Sequence, residues 1–204
     1  MSGNRKIPVP EKIKAEPTIT QIMGLDISLT STGVSLWRWK KPPFNFTLAP
    51  PRRLSGMDRF HWIFERLTDY AGLDPDRFLA VVEGISYGHN MKGHAERSGL
   101  YYTFLYYLWR RKAHYVVVPP TVLKKFATGK GNAHKDQVLK EVYKRFGQDA
   151  ANSDVADAIV LNYIGRALCE IWEPTTSIQR TVIEKLESQF SLVALARQEI
   201  SNPS

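Results

Sequence analysis

Apolar residues recur along this chain with two different spacings, and the spacing changes from segment to segment. Short runs that are rich in branched and aromatic side chains and are bounded by turn residues predict β-strands. Five such runs occur, over residues 20–26, 33–39, 44–48, 78–82 and 115–118. The first three are separated only by short turns, which predicts a meander of three strands.

Other segments place apolar residues three and four positions apart, which is typical of an amphipathic helix. Residues 57–70 show this stripe with Phe60, Ile63, Phe64 and Leu67. Further helices are predicted over residues 95–112, 121–127, 134–146, 154–172 and 178–200. The order of the elements is three strands, a helix, a strand, a helix, a strand and then helices, which predicts an α/β fold.

Length and composition indicate one globular unit. The chain has 204 residues, of which 43% are hydrophobic and 24% charged, enough for a single good core. Residues 1–18 are polar and carry three prolines, so we expect a flexible N-terminal arm. The main domain is then predicted over residues 19–172, and a C-terminal helical extension over residues 173–204.

Two absences narrow the function classes. No apolar stretch approaches the roughly 18 residues that a membrane-spanning helix needs, so we expect a cytoplasmic protein without a membrane partner. Cys169 is the only cysteine, which excludes an internal disulfide and a cysteine metal site.

The positive charge of the chain is concentrated in one segment. Net charge is +8, and residues 110–145 hold ten basic side chains against two acidic ones, so this segment accounts for the whole excess. Such a concentration suits the phosphate backbone of a nucleic acid, although a solvated face that keeps the protein soluble is the plainer alternative.

Four acidic residues form the candidate active site. Asp26 and Glu83 stand at the ends of two predicted strands, and Asp154 and Asp157 open a predicted helix, three residues apart on one face. Carboxylates gathered at the C-terminal edge of a sheet would repel one another unless cations neutralise them. Oxygen ligands without cysteine or histidine favour Mg²⁺, with Mn²⁺ as a substitute. Singly, each acid could be only a turn, capping or solvated residue.

The motifs around these acids resemble the RuvC family of Holliday junction resolvases. The stretches 24–28 and 32–34 resemble its first motif, 81–83 its second, 123–138 its basic segment and 154–158 its closing aspartate pair. The resemblance covers residues 20–170 and implies a ribonuclease H-like α/β fold, with a central five-stranded mixed sheet flanked by helices. A phage-type relative, acting in a bacterial or phage-infected cell, fits the same motifs.

The resemblance implies an endodeoxyribonuclease that resolves Holliday junctions by two-metal hydrolysis and leaves 5′-phosphates. Asp26 would bridge both ions, Glu83 and Asp157 would each complete one site, and Asp154 would bind directly or through water. Lys135 would act at the reacting phosphate. The predicted DNA-binding residues are Lys124, Lys125, Lys130 and Tyr87, and Lys124 would hold a flanking phosphate.

The sequence departs from the family at the residue that probes the junction centre. The family places an aromatic side chain three positions after the glutamate, where this chain has Ser86, and Tyr87 follows one step later. We therefore expect Tyr87 to stack on an exposed base and the enzyme to accept forks and flaps as well as four-way junctions. A nuclease for flaps, forks or RNA, or a branched-DNA-binding module without catalysis, stays open. An actin-like phosphotransferase is disfavoured because 204 residues leave no room for two lobes.

Residues 100–109 are apolar on nearly all sides of the predicted helix. This predicts burial on both faces and a two-fold homodimer packed through the helix, as in the RuvC family. The alternative is a central core helix within a monomer.

Overall fold

The computed structural model describes residues 16–71, 74–85 and 93–187, and they form a five-stranded sheet flanked by helices. The strands are β1 (Gln21–Asp26), β2 (Thr32–Arg38), β3 (Lys41–Leu48), β4 (Phe78–Glu83) and β5 (His114–Val118). The helices are α1 (Gly56–Tyr70), α2 (His94–Arg110), α3 (Pro120–Thr128), α4 (Lys135–Phe146) and α5 (Ser153–Leu168). A 3₁₀ turn at Pro75–Arg77 precedes β4, and residues 177–187 are helical.

The sheet is mixed, as the sequence predicts. Its strand order is β3-β2-β1-β4-β5. The first three strands form an antiparallel meander, whereas β4 runs parallel to both β1 and β5. Because β1 and β4 are parallel neighbours, their last residues reach the same edge of the sheet.

Helices cover both faces of this sheet, so β1 and β4 are buried on both sides and carry almost uninterrupted apolar sequences. One core cluster includes Ile63 and Leu67 of α1 with Leu100 and Phe104 of α2. The other lies on the opposite face, between the sheet and α3, α4, α5 and the helical segment 177–187. Within the described residues, no helix is long and apolar enough to cross a membrane.

Two elements differ from their predicted bounds by three or more residues, and the others by one or two. β3 begins at Lys41 and passes through Pro42 and Pro43, which is possible because it is an edge strand and its pairing with β2 is irregular between Lys41 and Phe44. α5 ends at Leu168 rather than 172, where Glu170 has a left-handed backbone (φ +55°). The N–H groups of residues 171 and 172 turn back to the Arg166 carbonyl.

Helix α5 lies unusually close to β1 and β2. A Cβ atom on Gly24 would stand 2.1 Å from the Ala158 carbonyl oxygen, and one on Gly33 would stand 2.0 Å from the Asp154 carbonyl oxygen. The buried Asn162 of α5 donates to the carbonyls of Ile22 in β1 (3.1 Å) and Ser35 in β2 (3.0 Å). Helix and sheet are therefore in backbone contact, which fixes where the N-terminal turn of α5 stands.

We expect Gly24→Ala to lower the free energy of unfolding by at least about 3 kcal/mol, because backbone atoms of α5 must move to admit the methyl group. The control is Gly99→Ala on α2, where the new Cβ meets only Phe60 at 3.7 Å. That change should stabilise the protein by roughly 0.5–1 kcal/mol through the higher helix propensity of alanine. Urea titration measures both values, and equal effects of the two substitutions would contradict the close packing.

Candidate metal centre

The candidate metal centre forms where three elements meet at one edge of the sheet. Asp26 is the last residue of β1 and Glu83 the last of β4, so the parallel pairing brings the two carboxylates together. Asp157 reaches them from α5, which begins after Asn152, whose side chain caps the helix by accepting from the Val155 N–H at 2.9 Å.

Asp26, Glu83 and Asp157 are close enough to bind one metal ion together. Each offers a carboxylate oxygen, and the three oxygens lie within 4.8 Å of one another. Asp26 is only 8% exposed, and its carboxyl group shares a hydrogen bond with that of Glu83. Three acids gathered this closely imply that a proton or a cation offsets their repulsion.

Asp154 stands beside this trio and has partners of its own. Its Oδ2 accepts a hydrogen bond of 2.6 Å from the Ser31 hydroxyl, and its Oδ1 lies 4.0 Å from Lys135 Nζ. Its negative charge nevertheless raises the pKa of both Asp26 and Asp157. Asp154 is therefore near enough to act on the trio through its charge, but it lies outside the group of three whose oxygens are within 4.8 Å of one another.

The pKa values reflect the burial of several acids together. Burial, followed by the charges of Asp26 and Asp157, raises the pKa of Glu83 to about 9. Burial and the charge of Asp26 raise the pKa of Asp157 to about 7. Burial also raises the pKa of Asp26. The folded protein therefore holds protons that a bound cation would displace.

The donor set suits a hard divalent cation. All ligand atoms of the trio are carboxylate oxygens, which Mg²⁺ and Mn²⁺ prefer, and no cysteine or histidine belongs to it. Charge supplies the driving force, because a divalent ion would offset both the burial and the mutual repulsion that raise these pKa values.

The predicted basic residues differ in their distance from the carboxylates. Lys135 opens α4 next to Asp154, and the positive charge of Lys124 lowers the pKa of Asp157. Lys125 and Lys130 are exposed farther along α3 and its following turn. Tyr87 lies outside the described residues.

Two residues at the site were not among those predicted from the sequence. Ser31 orients Asp154 across 123 positions of sequence, and Arg97 of α2 lies near Asp26 and Glu83. Arg97 donates through Nε to the carbonyl of Ile27 at 3.3 Å. No local spacing connects Arg97 to the acids, since its place depends on how α2 packs on the sheet.

Comparison with known proteins gives a match at the level of structure. No model of a protein family and no curated protein matches this chain. RuvC from Thermus thermophilus superposes with a TM-score of 0.57 at 16% identity, over 76% of this chain and 99% of that protein. This chain has the RuvC fold. The predicted ribonuclease H-like architecture is thereby confirmed.

Two further structures are similar. T. thermophilus RuvC in complex with a Holliday junction substrate gives a TM-score of 0.56 at 17% identity, covering 70% of this chain and 90% of that one. The yeast mitochondrial Holliday junction resolvase Ydc2 gives 0.45 at 11% identity, covering 87% and 85%. The two RuvC structures by themselves cover 70% and 76% of this chain, so the RuvC fold accounts for most of it.

The raised pKa values predict how stability depends on pH in the absence of metal. At pH values from about 4, the ordinary pKa of a carboxyl group, up to about 9, the pKa of Glu83, the folded state binds more protons than the unfolded chain. The free energy of unfolding should therefore fall as pH rises through this window. In EDTA, we expect the urea midpoint to be lower at pH 9 than at pH 6, and Mg²⁺ to reduce the difference.

Glu83→Gln should flatten this pH dependence, because it removes a group whose pKa is raised to about 9 by burial and by the neighbouring acids. Glu184→Gln, at an exposed position of the C-terminal helical segment, is the matched control and should leave the dependence unchanged. A wild-type stability that rises from pH 6 to pH 9 in EDTA would contradict the buried protonated cluster.

Proposed function

We propose that this protein is a divalent-metal-dependent, structure-selective DNA endonuclease that resolves Holliday junctions and cuts other branched DNA. The convergence of Asp26, Glu83 and Asp157 from three elements carries the proposal. Buried carboxylates that cannot all ionise unaided are suited to hold metal ions, and the adjoining lysines are suited to hold phosphates. Hydrolysis of a phosphodiester by this chemistry needs bound metal ions and a firmly held phosphate.

Asp26, Glu83 and Asp157 would hold two Mg²⁺ ions, for which Mn²⁺ could substitute, and Asp154 would assist directly or through water. The bound ions would activate a water molecule and stabilise the charge on the leaving 3′ oxygen, so that the product carries a 5′-phosphate. Ser31 orients Asp154 through its hydroxyl, and Lys135 beside it stabilises negative charge that develops at the phosphate.

The basic segment supports DNA as the substrate. Lys124 and Lys135 lie on helices that border the carboxylates, so phosphates could bind on the sheet face that α3 and α4 cover. Lys125 and Lys130 continue this basic surface and would contact phosphates farther from the cut. The likeness to a RuvC structure that holds a Holliday junction supports a branched molecule as the ligand.

Branch selectivity would come from base stacking rather than from base-specific contacts. Tyr87 is the aromatic residue available after Glu83, and stacking accepts any base exposed at a branch point. We therefore propose that forks and flaps are cut as well as four-way junctions. The alternative is a nuclease that acts on RNA or on flaps alone. The two enzymes differ in the range of substrates that they cut.

A homodimer belongs to the same proposal. In the structure, α2 buries one face, with Leu100, Phe104 and Leu108, and exposes Tyr106 (59%) and Trp109 (41%) on the other. Within the single chain, α2 is therefore not enclosed on all sides. The exposed rings stack on each other with centroids 5.9 Å apart, and they form an apolar face suited to a second copy of the chain. Two active sites could then cut paired strands.

We expect Asp26→Asn and Asp157→Asn to lower the single-turnover cleavage rate by more than about 100-fold, since loss of residues that merely support metal ligands costs up to that much. Affinity for the junction should stay within a few-fold, because shape is kept. The assay uses synthetic four-way junction, fork, flap, linear duplex and RNA–DNA hybrid, with Mg²⁺ or EDTA.

Asp69→Asn, an exposed change on α1, is the control and should cleave as the wild type does. Cleavage of linear duplex as fast as branched DNA would contradict the selectivity. Preference for the RNA–DNA hybrid would favour the alternative nuclease, and binding without cleavage would favour a non-catalytic module.

For the dimer, we expect Tyr106→Glu to give a folded monomer, because a charge would be placed at the centre of the apolar face. Tyr143→Glu is the matched control, since Tyr143 of α4 is equally exposed (60%) and lies outside this face. Light scattering measures the mass and circular dichroism the fold. A wild-type protein that is monomeric at high micromolar concentration would rule the dimer out.

A further inference from the structure

Arg97 brings a permanent positive charge to the metal centre from a direction that the lysines do not occupy. It lies in the first turn of α2, which packs with α1 on one face of the sheet. Lys124 and Lys135 lie on α3 and α4, which cover the opposite face. The carboxylates at the edge of the sheet are therefore bordered by cations on both sides.

The guanidinium of Arg97 is held in place by its Nε, which donates to the Ile27 carbonyl at 3.3 Å. Ile27 directly follows Asp26, so this contact fixes the guanidinium against the strand end that carries a candidate metal ligand. The side chain is half-buried, which restricts its motion further.

Within the described residues, the Ile27 carbonyl is the one hydrogen-bond partner of the Arg97 guanidinium. The charge of Arg97 lowers the pKa of both Asp26 and Glu83, so the guanidinium lies near these two carboxylates. Among the described residues, however, no ion pair within 4.0 Å involves Arg97. In this part of the chain, Nη1 and Nη2 therefore have no acceptor, and they form the planar fork that binds phosphate oxygens well.

We propose that Arg97 binds a phosphate of the cleaved strand through Nη1 and Nη2, on the side of the metal centre opposite to the lysines. The inference rests on the proposed nuclease function and deepens it. It makes Arg97 a substrate-binding residue, in addition to the lysines of the basic segment. A strand that crosses the site would then be held from both faces of the sheet, which restricts its path over the carboxylates.

A purely structural role for Arg97 is the alternative, in which it serves only to hold the Ile27 carbonyl. The two roles differ in their dependence on the substrate. If Arg97 contacts a phosphate, the effect of its substitution on junction affinity depends on the charge of that one phosphate. If its role is purely structural, the effect is the same whichever phosphate is neutralised.

The experiment measures junction affinity in Ca²⁺, with the phosphates of the cleaved strand replaced one at a time by neutral methylphosphonate. Arg97→Ala should weaken binding of the unmodified junction roughly 10-fold, as expected for a hydrogen bond to a charged group. At one phosphate position, the methylphosphonate should weaken the wild type by a similar factor and leave Arg97→Ala unaffected. At all other positions the two effects should multiply.

Arg97→Lys provides a second variant that keeps the charge, should Arg97→Ala fold poorly. It should show the same coupled position with a smaller loss, because an ammonium lacks the fork. Arg66→Ala, an exposed arginine of α1, is the control and should couple to no position. Thermal melting of each variant verifies the fold.

Effects that multiply at every position in both Arg97 variants would overturn the phosphate contact and leave the structural role. Wild-type cleavage of the unmodified junction in Mg²⁺ is measured alongside. If the wild type cleaves and coupling is absent, only this inference fails. If the wild type neither cleaves nor binds branched DNA, the proposed function fails and this inference with it.

Discussion

The backbone contact between α5 and the first two strands is the constraint on which the site depends. Gly24 and Gly33 have no side chain at the contact, so the backbone of α5 packs directly against β1 and β2. Asn162 then fixes its register by bonding carbonyls of both strands. Since Asp157 lies near the start of the same helix and Asp26 at the end of β1, this contact sets the distance between them. A larger residue at either glycine would move one carboxylate relative to the other.

The same packing creates an electrostatic conflict. The fold buries Glu83 and Asp157 with Asp26, and their pKa values rise because neither water nor a partner cation compensates them fully. A site of this kind costs stability in the metal-free protein and gains it back on binding a cation. Lys124, Lys135 and Arg97 reduce the conflict without abolishing it, since each lies near the trio rather than within it.

The C-terminal segment contributes to the basic side of the site. Buried Gln179 caps the helical segment 177–187 by accepting from residues 175 and 176, and it donates to the Phe126 carbonyl of α3 at 3.4 Å. Three apolar residues of the segment, Val182, Ile183 and Leu186, join the core cluster that holds Phe126. The helix that carries Lys124 is therefore supported from behind by residues far along the chain. The boundary predicted at residue 172 stays a prediction, as does the N-terminal arm.

The order and type of the elements, and the acids at the strand ends and at the start of α5, could be predicted from the amino-acid sequence, because apolar spacing and strand ends are local properties. The sequence did not determine that Asp154 pairs with Ser31 and Lys135 at the rim of the trio, or that Arg97 stands beside Asp26. Nor did it fix which face of α2 is buried, because residues 100–109 are apolar on nearly all sides of that helix. These contacts and the buried face of α2 depend on the tertiary structure, because distances between residues remote in sequence follow from how the helices pack on the sheet.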